Sequence, residues 1–240
     1  MSLFKKTGKN SYWIALSDIM TALMLVFLLL FSLYMLKVNE NSKVVNLQEQ
    51  LEKSQAIPKN YKELRLNLTA LLREEFKDDL SKFNAVIEDD LTIRFNKPEI
   101  LFKTGEAELS KDFEKILDNF FPRYLKIITD KNIIDNIDEI RIEGHTSSVW
   151  NDASADDAYL KNMALSSKRA QSVLEYILRH SKEGDFLKKH FRAIGFASAK
   201  TLDDNLKLTS KSGLKENYLN SQRVEFRVMT NIEDKLKDQK

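Results

Sequence analysis

The chain has 240 residues, 42% hydrophobic and 31% charged, with a formal charge of +2. That balance suits a folded domain of ordinary size plus appendages, and gives no whole-chain case for direct nucleic-acid binding. With no cysteine, disulfides and thiolate chemistry are excluded, and three scattered histidines (His145, His180 and His190) argue against a zinc site.

Residues 1–11 read as a short tail carrying Lys5, Lys6 and Lys9. Trp13 to Leu36 follows as WIALSDIMTALMLVFLLLFSLYML, with one formal charge. As a helix this run measures about 36 Å, enough to cross a hydrocarbon core of about 30 Å. A secretory signal is the rival reading, but its apolar run spans only about 7–15 residues and ends in small residues. Here the run closes on Tyr34, Met35, Leu36 and Lys37, so residues 12–37 are expected to be a retained helix in the lipid bilayer. Tyr12, Trp13 and Tyr34 suit the two interfaces, and the basic tail predicts a cytoplasmic N-terminus. Residues 38–240 then lie on the periplasmic side of an inner (cytoplasmic) membrane, anchored by a single pass.

Asp18 sits about 9 Å along this helix from Tyr12. An aspartate in mid-membrane costs about 2.5–3.5 kcal/mol and is tolerated against protein or along a wet pathway. There a carboxylic acid can take and release a proton, because removal from water favours its neutral form. Ser17 and Thr21 are candidate hydrogen-bond donors to it. If the span begins at Ile19 instead, Asp18 lies at the headgroups. The run Ser17-Asp18-Ile19-Met20-Thr21-Ala22-Leu23-Met24 through Leu29 resembles the membrane helix of MotB-type stator subunits. That resemblance implies that Asp18 carries the coupling proton, with no other cofactor.

Residues 38–60 read as a linker. Val44, Leu47 and Leu51 form a narrow apolar stripe of about two heptads, either a short coiled coil or a solvated connector. Pro58 suggests a hinge or a new helix start. Residues 61–235 are expected to form one domain, opened by an amphipathic helix with Tyr61, Leu64, Leu68, Leu71, Leu72, Phe76, Leu80 and Phe83 at 3–4 spacing. Ala85–Ile87 and Leu91–Phe95 read as a hairpin, with Thr92 and Arg94 on its wet face. Phe113–Ile128 is predicted helical with a kink or a break at Pro122. Glu139–Gly144 is predicted as a strand, Met163–Leu178 as a helix, and Phe191–Phe196 and Arg223–Met229 as two more strands. The class is α+β, a single N-terminal transmembrane helix followed by an α/β sandwich whose sheet is covered by helices on one face.

Ile142-Glu143-Gly144-His145-Thr146, then Asn162-x-x-Leu165-Ser166-x-x-Arg169-Ala170-x-x-Val173, Ile194-Gly195-Phe196 and Asn220-Ser221-Gln222-Arg223-Val224-Glu225 resemble the OmpA-like peptidoglycan-binding domain. Ile100–Phe102 through Leu109 would supply its first strand and turn, and the likeness covers about residues 91–230. It implies a wall-binding site of Thr146, Ser147, Asn162, Leu165 and Arg169. An arginine fork suits the free carboxylates of stem peptides. Asn162 also reads as a helix cap, Leu165 as core and His145 as a strand-end polar residue. Where the family usually has an aspartate after Gly-x-Thr, this chain has Ser147, and Asp152, Asp156 and Asp157 are the nearby carboxylates.

Together the two halves most resemble the ZorB branch of MotB-like subunits, from Zorya anti-phage defence. That likeness implies a homodimer inside a pentameric ring of a MotA-like (ZorA-like) membrane partner, with peptidoglycan as anchor. A flagellar stator subunit and a passive wall anchor without an ion pathway are the alternatives. No catalytic spacing is present, so an enzyme is not expected.

Overall fold

The computed structural model describes residues 8–231, without the side chains of residues 8–11, 41, 44 and 46–61. The chain divides between Ala56 and Ile57 into two units. Gly8–Phe76 (α1) is helical throughout, Pro58 included, where the sequence predicted a hinge. A proline removes one backbone donor, at about 3 kcal/mol, while the flanking turns stay bonded. The stripe Val44, Leu47 and Leu51 falls wholly among those undescribed side chains, and the tail lysines Lys5 and Lys6 lie outside the described residues. In the first unit, Tyr12–Glu40 is long and apolar enough to cross a membrane.

The second unit is α+β, as the periodicities predict. Its elements are the end of α1, Leu80–Phe83 (α2), Ala85–Ile87 (β1), Thr92–Phe95 (β2), Pro98–Leu101 (α3), Lys111–Ile128 (α4) and Ile137–His145 (β3). Ala155–His180 (α5), Gly184–His190 (α6), Phe191–Gly195 (β4), Thr209–Ser212 (α7), Tyr218–Ser221 (α8) and Arg223–Thr230 (β5) complete it. The sheet order is β1-β2-β5-β3-β4, and only β3 and β4 run parallel.

The core forms where apolar periodicities of helix and strand meet. Ile93, Phe95, Ile140, Ile142, Val224 and Phe226 face it from the sheet, and Leu117, Phe120, Tyr124, Val173 and Ile177 from α4 and α5. Phe120 is its hub, with ring centroids 5.0 Å from Phe76, 5.1 Å from Phe95 and 5.4 Å from Phe226. The last turns of α1 belong to this core through Leu68, Leu72 and Phe76, whereas Leu71 is exposed. Arg123 fixes them further, bonding Glu75 and Asp79 at 2.7 and 2.8 Å.

Three local expectations change. Ile100–Phe102 was predicted as the domain's first strand, but Pro98 at the first helical position nucleates the helical turn α3, and Phe102 keeps one isolated bridge to Leu109. Pro122 sits within α4 without ending it. The long helix starts at Ala155, eight residues before Met163, because Ser154 caps it. Its hydroxyl oxygen accepts from the Asp157 amide at 3.2 Å and donates to the Asp157 carboxylate at 2.8 Å.

Candidate functional site

In the apolar span Asp18 is exposed on α1, as are its neighbours. The Thr21 hydroxyl donates to the Ser17 carbonyl at 2.8 Å, one turn back. It therefore serves the helix backbone instead of the Asp18 carboxylate, the role the sequence assigned it. Ser17, Met20, Thr21, Met24, Phe27 and Leu30 line a shallow, mostly apolar groove on this helix.

The second site is built where β3 and β4 end against α5. Gly144 and Gly195 pair across these strands. A Cβ on Gly144 would lie 2.1 Å from the Ser166 carbonyl oxygen, and one on Gly195 would lie 2.2 Å from the Ser167 hydroxyl. Only glycine lets α5 approach so closely. The Ser166 hydroxyl then accepts from the Ala197 amide at 3.0 Å, and the Ala197 carbonyl accepts from the Thr146 amide at 2.9 Å. Thr146 and Ser147 are buried at the root of the loop that follows. Asn162, inside α5 and buried, donates to the Val149 carbonyl at 3.1 Å, so it secures this loop and does not cap the helix. Leu165 is half-buried one turn on.

Arg169 differs from a free ligand contact. It is 2% exposed, donates through Nε to the Glu106 carbonyl at 2.9 Å, and lies 4.8 Å from the Phe102 ring centre. Burial pushes its guanidinium down to about 10. Among the sequence candidates, Thr146 and Ser147 share one loop, which Asn162 braces from α5. Arg169 anchors the 103–106 turn to the same helix.

One residue was missed. The Glu216 carboxylate accepts from the Ser148 amide at 3.1 Å and from its hydroxyl at 2.5 Å. Asp156 and Asp157 belong to the first turn of α5, and Asp152 is exposed. The carboxylate that reaches this loop thus comes from 68 residues further along the chain. No local pattern could have signalled it.

Behind the loop lies a buried layer of charge. Arg94, Glu225 and Glu143 face one another in register across β2, β5 and β3, with His145 opposite Arg223 in the next row. Arg94 and Arg223 each donate through Nε to Glu225 Oε1, at 2.8 and 2.6 Å. Lys200 donates to Glu143 Oε2 at 2.9 Å. Burial alone would raise Glu225, but His145, Arg223 and Arg94 outweigh it and hold the carboxyl well below its usual range. Glu143 is lowered likewise, His145 and Lys200 overcoming its burial. The sequence placed Arg94 on a wet face; the segment between β4 and β5 covers it, and the Leu206 carbonyl accepts from it at 3.4 Å.

The pattern of the OmpA family matches residues 101–213. The Zorya protein ZorB of Escherichia coli is 37% identical over 95% of this chain and 92% of its own length. The chain belongs to the ZorB family. This ZorB-family chain carries its OmpA-family match within the second unit. An uncharacterised protein of Bacillus subtilis, YtxE, is 26% identical over 83% of this chain and 85% of its own. Among solved structures, a MotB-like protein of Desulfovibrio vulgaris is similar at 23% identity and a TM-score of 0.44, covering 75% of this chain and 98% of that one.

Proposed function

We propose that this ZorB-family chain is the proton-carrying, wall-anchored subunit of a membrane motor that acts in anti-phage defence. Asp18 would bind and release the coupling proton against a MotA-like (ZorA-like) membrane partner forming a pentameric ring around two copies of this chain. The OmpA-like domain would hold peptidoglycan at the loop of Thr146 and Ser147, with Asn162, Leu165 and Arg169 on the supporting helix. A fixed anchor lets each protonation step drive motion of the ring instead of spinning the anchor.

The observation that carries this reading is the pairing, in one chain, of a carboxylate on an apolar span with an OmpA-like domain. An ionisable group there costs about 2.5–3.5 kcal/mol to insert, which a merely passive tether would have no use for. In cells carrying the full defence locus, Asp18→Asn is expected to leave membrane assembly with the partner intact and to abolish protection against phage. Full protection by that variant, at wild-type abundance, would overturn the motor reading and leave a tethered wall-binder.

A further inference from the structure

We propose that Glu143, His145 and Glu225 form a binding site for one divalent transition-metal ion of the zinc class. One ligand atom from each lies within 4.8 Å of the others, and all three side chains are buried. Glu143 and Glu225 are directly opposed on β3 and β5. Two like charges so placed repel unless a cation lies between them. His145 Nε2 sits 3.4 Å from one carboxylate and 3.5 Å from the other, ion-pair distances too long for good hydrogen bonds.

The polar atoms left over point the same way. Among the described residues, no hydrogen bond of good geometry reaches Oε1 of the fully buried Glu143 or either ring nitrogen of the fully buried His145, whose Nε2 acts on the two carboxylates only across those longer distances. Buried polar atoms are rarely left without a partner, so three in one place mark a group these donors are built to hold. Both arginines converge on Oε1 of Glu225, leaving Oε2 turned to His145. They support the ligand without competing for the ligating oxygen. A set of two carboxylate oxygens and one imidazole nitrogen suits zinc or manganese.

Charge decides how the ion enters. Arg94, Arg223 and Lys200 balance Glu88, Glu143 and Glu225 one for one, so a dication must displace a cation. Lys200 is the one with a route to water, since its side chain is 30% exposed whereas Arg94 and Arg223 are buried. On binding, the ion engages the Glu143 carboxylate, whose Oε1 is free and whose Oε2 Lys200 holds; the ammonium swings to solvent, and His145 binds as neutral imidazole. The result is a cross-link between β3 and β5 directly before Thr146 and Ser147, an arrangement that local sequence spacing among the histidines could not reveal.

The test is cobalt and zinc binding by the chelator-treated full chain in detergent. Co2+ titration should give a visible absorption band saturating at one ion per chain, and Zn2+ should raise the melting temperature. Glu143→Gln and His145→Gln should each abolish the band, and Lys200→Met should tighten binding about tenfold, the scale on which groups beside the ligands tune affinity. Absence of any band and of any Zn2+ stabilisation in the wild type overturns the proposal, whether or not the variants fold. So does binding that survives both ligand substitutions, because the ion then sits elsewhere.

Discussion

The Glu216 carboxylate takes both the backbone amide and the hydroxyl of Ser148, joining the loop after β3 to the segment between β4 and β5. The same loop is held from the other side by Asn162 through the Val149 carbonyl. Two polar contacts thus hold it, one from Glu216, 68 residues along the chain, and one from the adjoining helix.

Glu216→Ala should consequently loosen this loop without unfolding the domain. One partly exposed hydrogen-bonded group contributes about 0.5–1.5 kcal/mol. Urea unfolding should shift by no more than that, while co-sedimentation with purified peptidoglycan falls. Binding equal to wild type would remove Glu216 from the site.

Arg169 cannot be tested by truncation alone. Its guanidinium anchors the 103–106 turn and covers Phe102, so Arg169→Ala is expected to destabilise the domain by about 1.5–3 kcal/mol, the range for hydrogen bonds from charged groups. Arg169→Lys keeps the charge but not the fork and should lose less. Comparing chemical denaturation with wall co-sedimentation for both variants separates stability from recognition.

Acid should weaken the domain through its charged layer. Glu225 and Glu143 titrate below their ordinary value of 4.5 in the folded state. A depressed folded value means that the stabilisation is present above the unfolded value and is lost as pH falls through the folded one. Urea midpoints should therefore hold from neutral pH down to about 5 and drop as the pH falls below 4.5. Glu143→Gln should flatten part of that drop, and an unchanged slope would show that Glu143 contributes none of it.

Gly144→Ala should be costly although it adds one methyl group. Its Cβ would meet backbone, not a flexible side chain, so β3 and α5 must part. Overpacking of this kind costs about 1–3 kcal/mol. Thermal unfolding reads the loss, and weaker wall binding should accompany it because Ser166 carries the contact to Ala197 that supports Thr146.

Much of the architecture was legible beforehand. Alternation in Arg223–Met229 and in Leu91–Phe95 gave two strands that pair in the sheet, and the 3–4 spacing of Leu68, Leu72 and Phe76 gave a helix face that enters the core. Expectations failed where short-range preference was outvoted. Ile100-Leu101-Phe102 looks like a strand, but Pro98 starts a helical turn. Pro58 and Pro122 look like breaks, but neighbouring turns carry the helix past them. Arg94 looks like a wet-face residue, since its strand alternates, yet a segment more than a hundred residues away covers it.

The sequence by itself determined the apolar span with its one carboxylate, the α+β class and the helix that carries Asn162, Ser166 and Arg169. Those follow from run length and from periods of 3.6 and 2 residues, which are properties of neighbours along the chain. Tertiary structure alone decided that Glu216 reaches Ser148, that Arg169 is enclosed, and that Glu225 meets Arg94 across 131 residues of chain. Such contacts are fixed by strand order and by which loop closes over which face, and no local spacing encodes them.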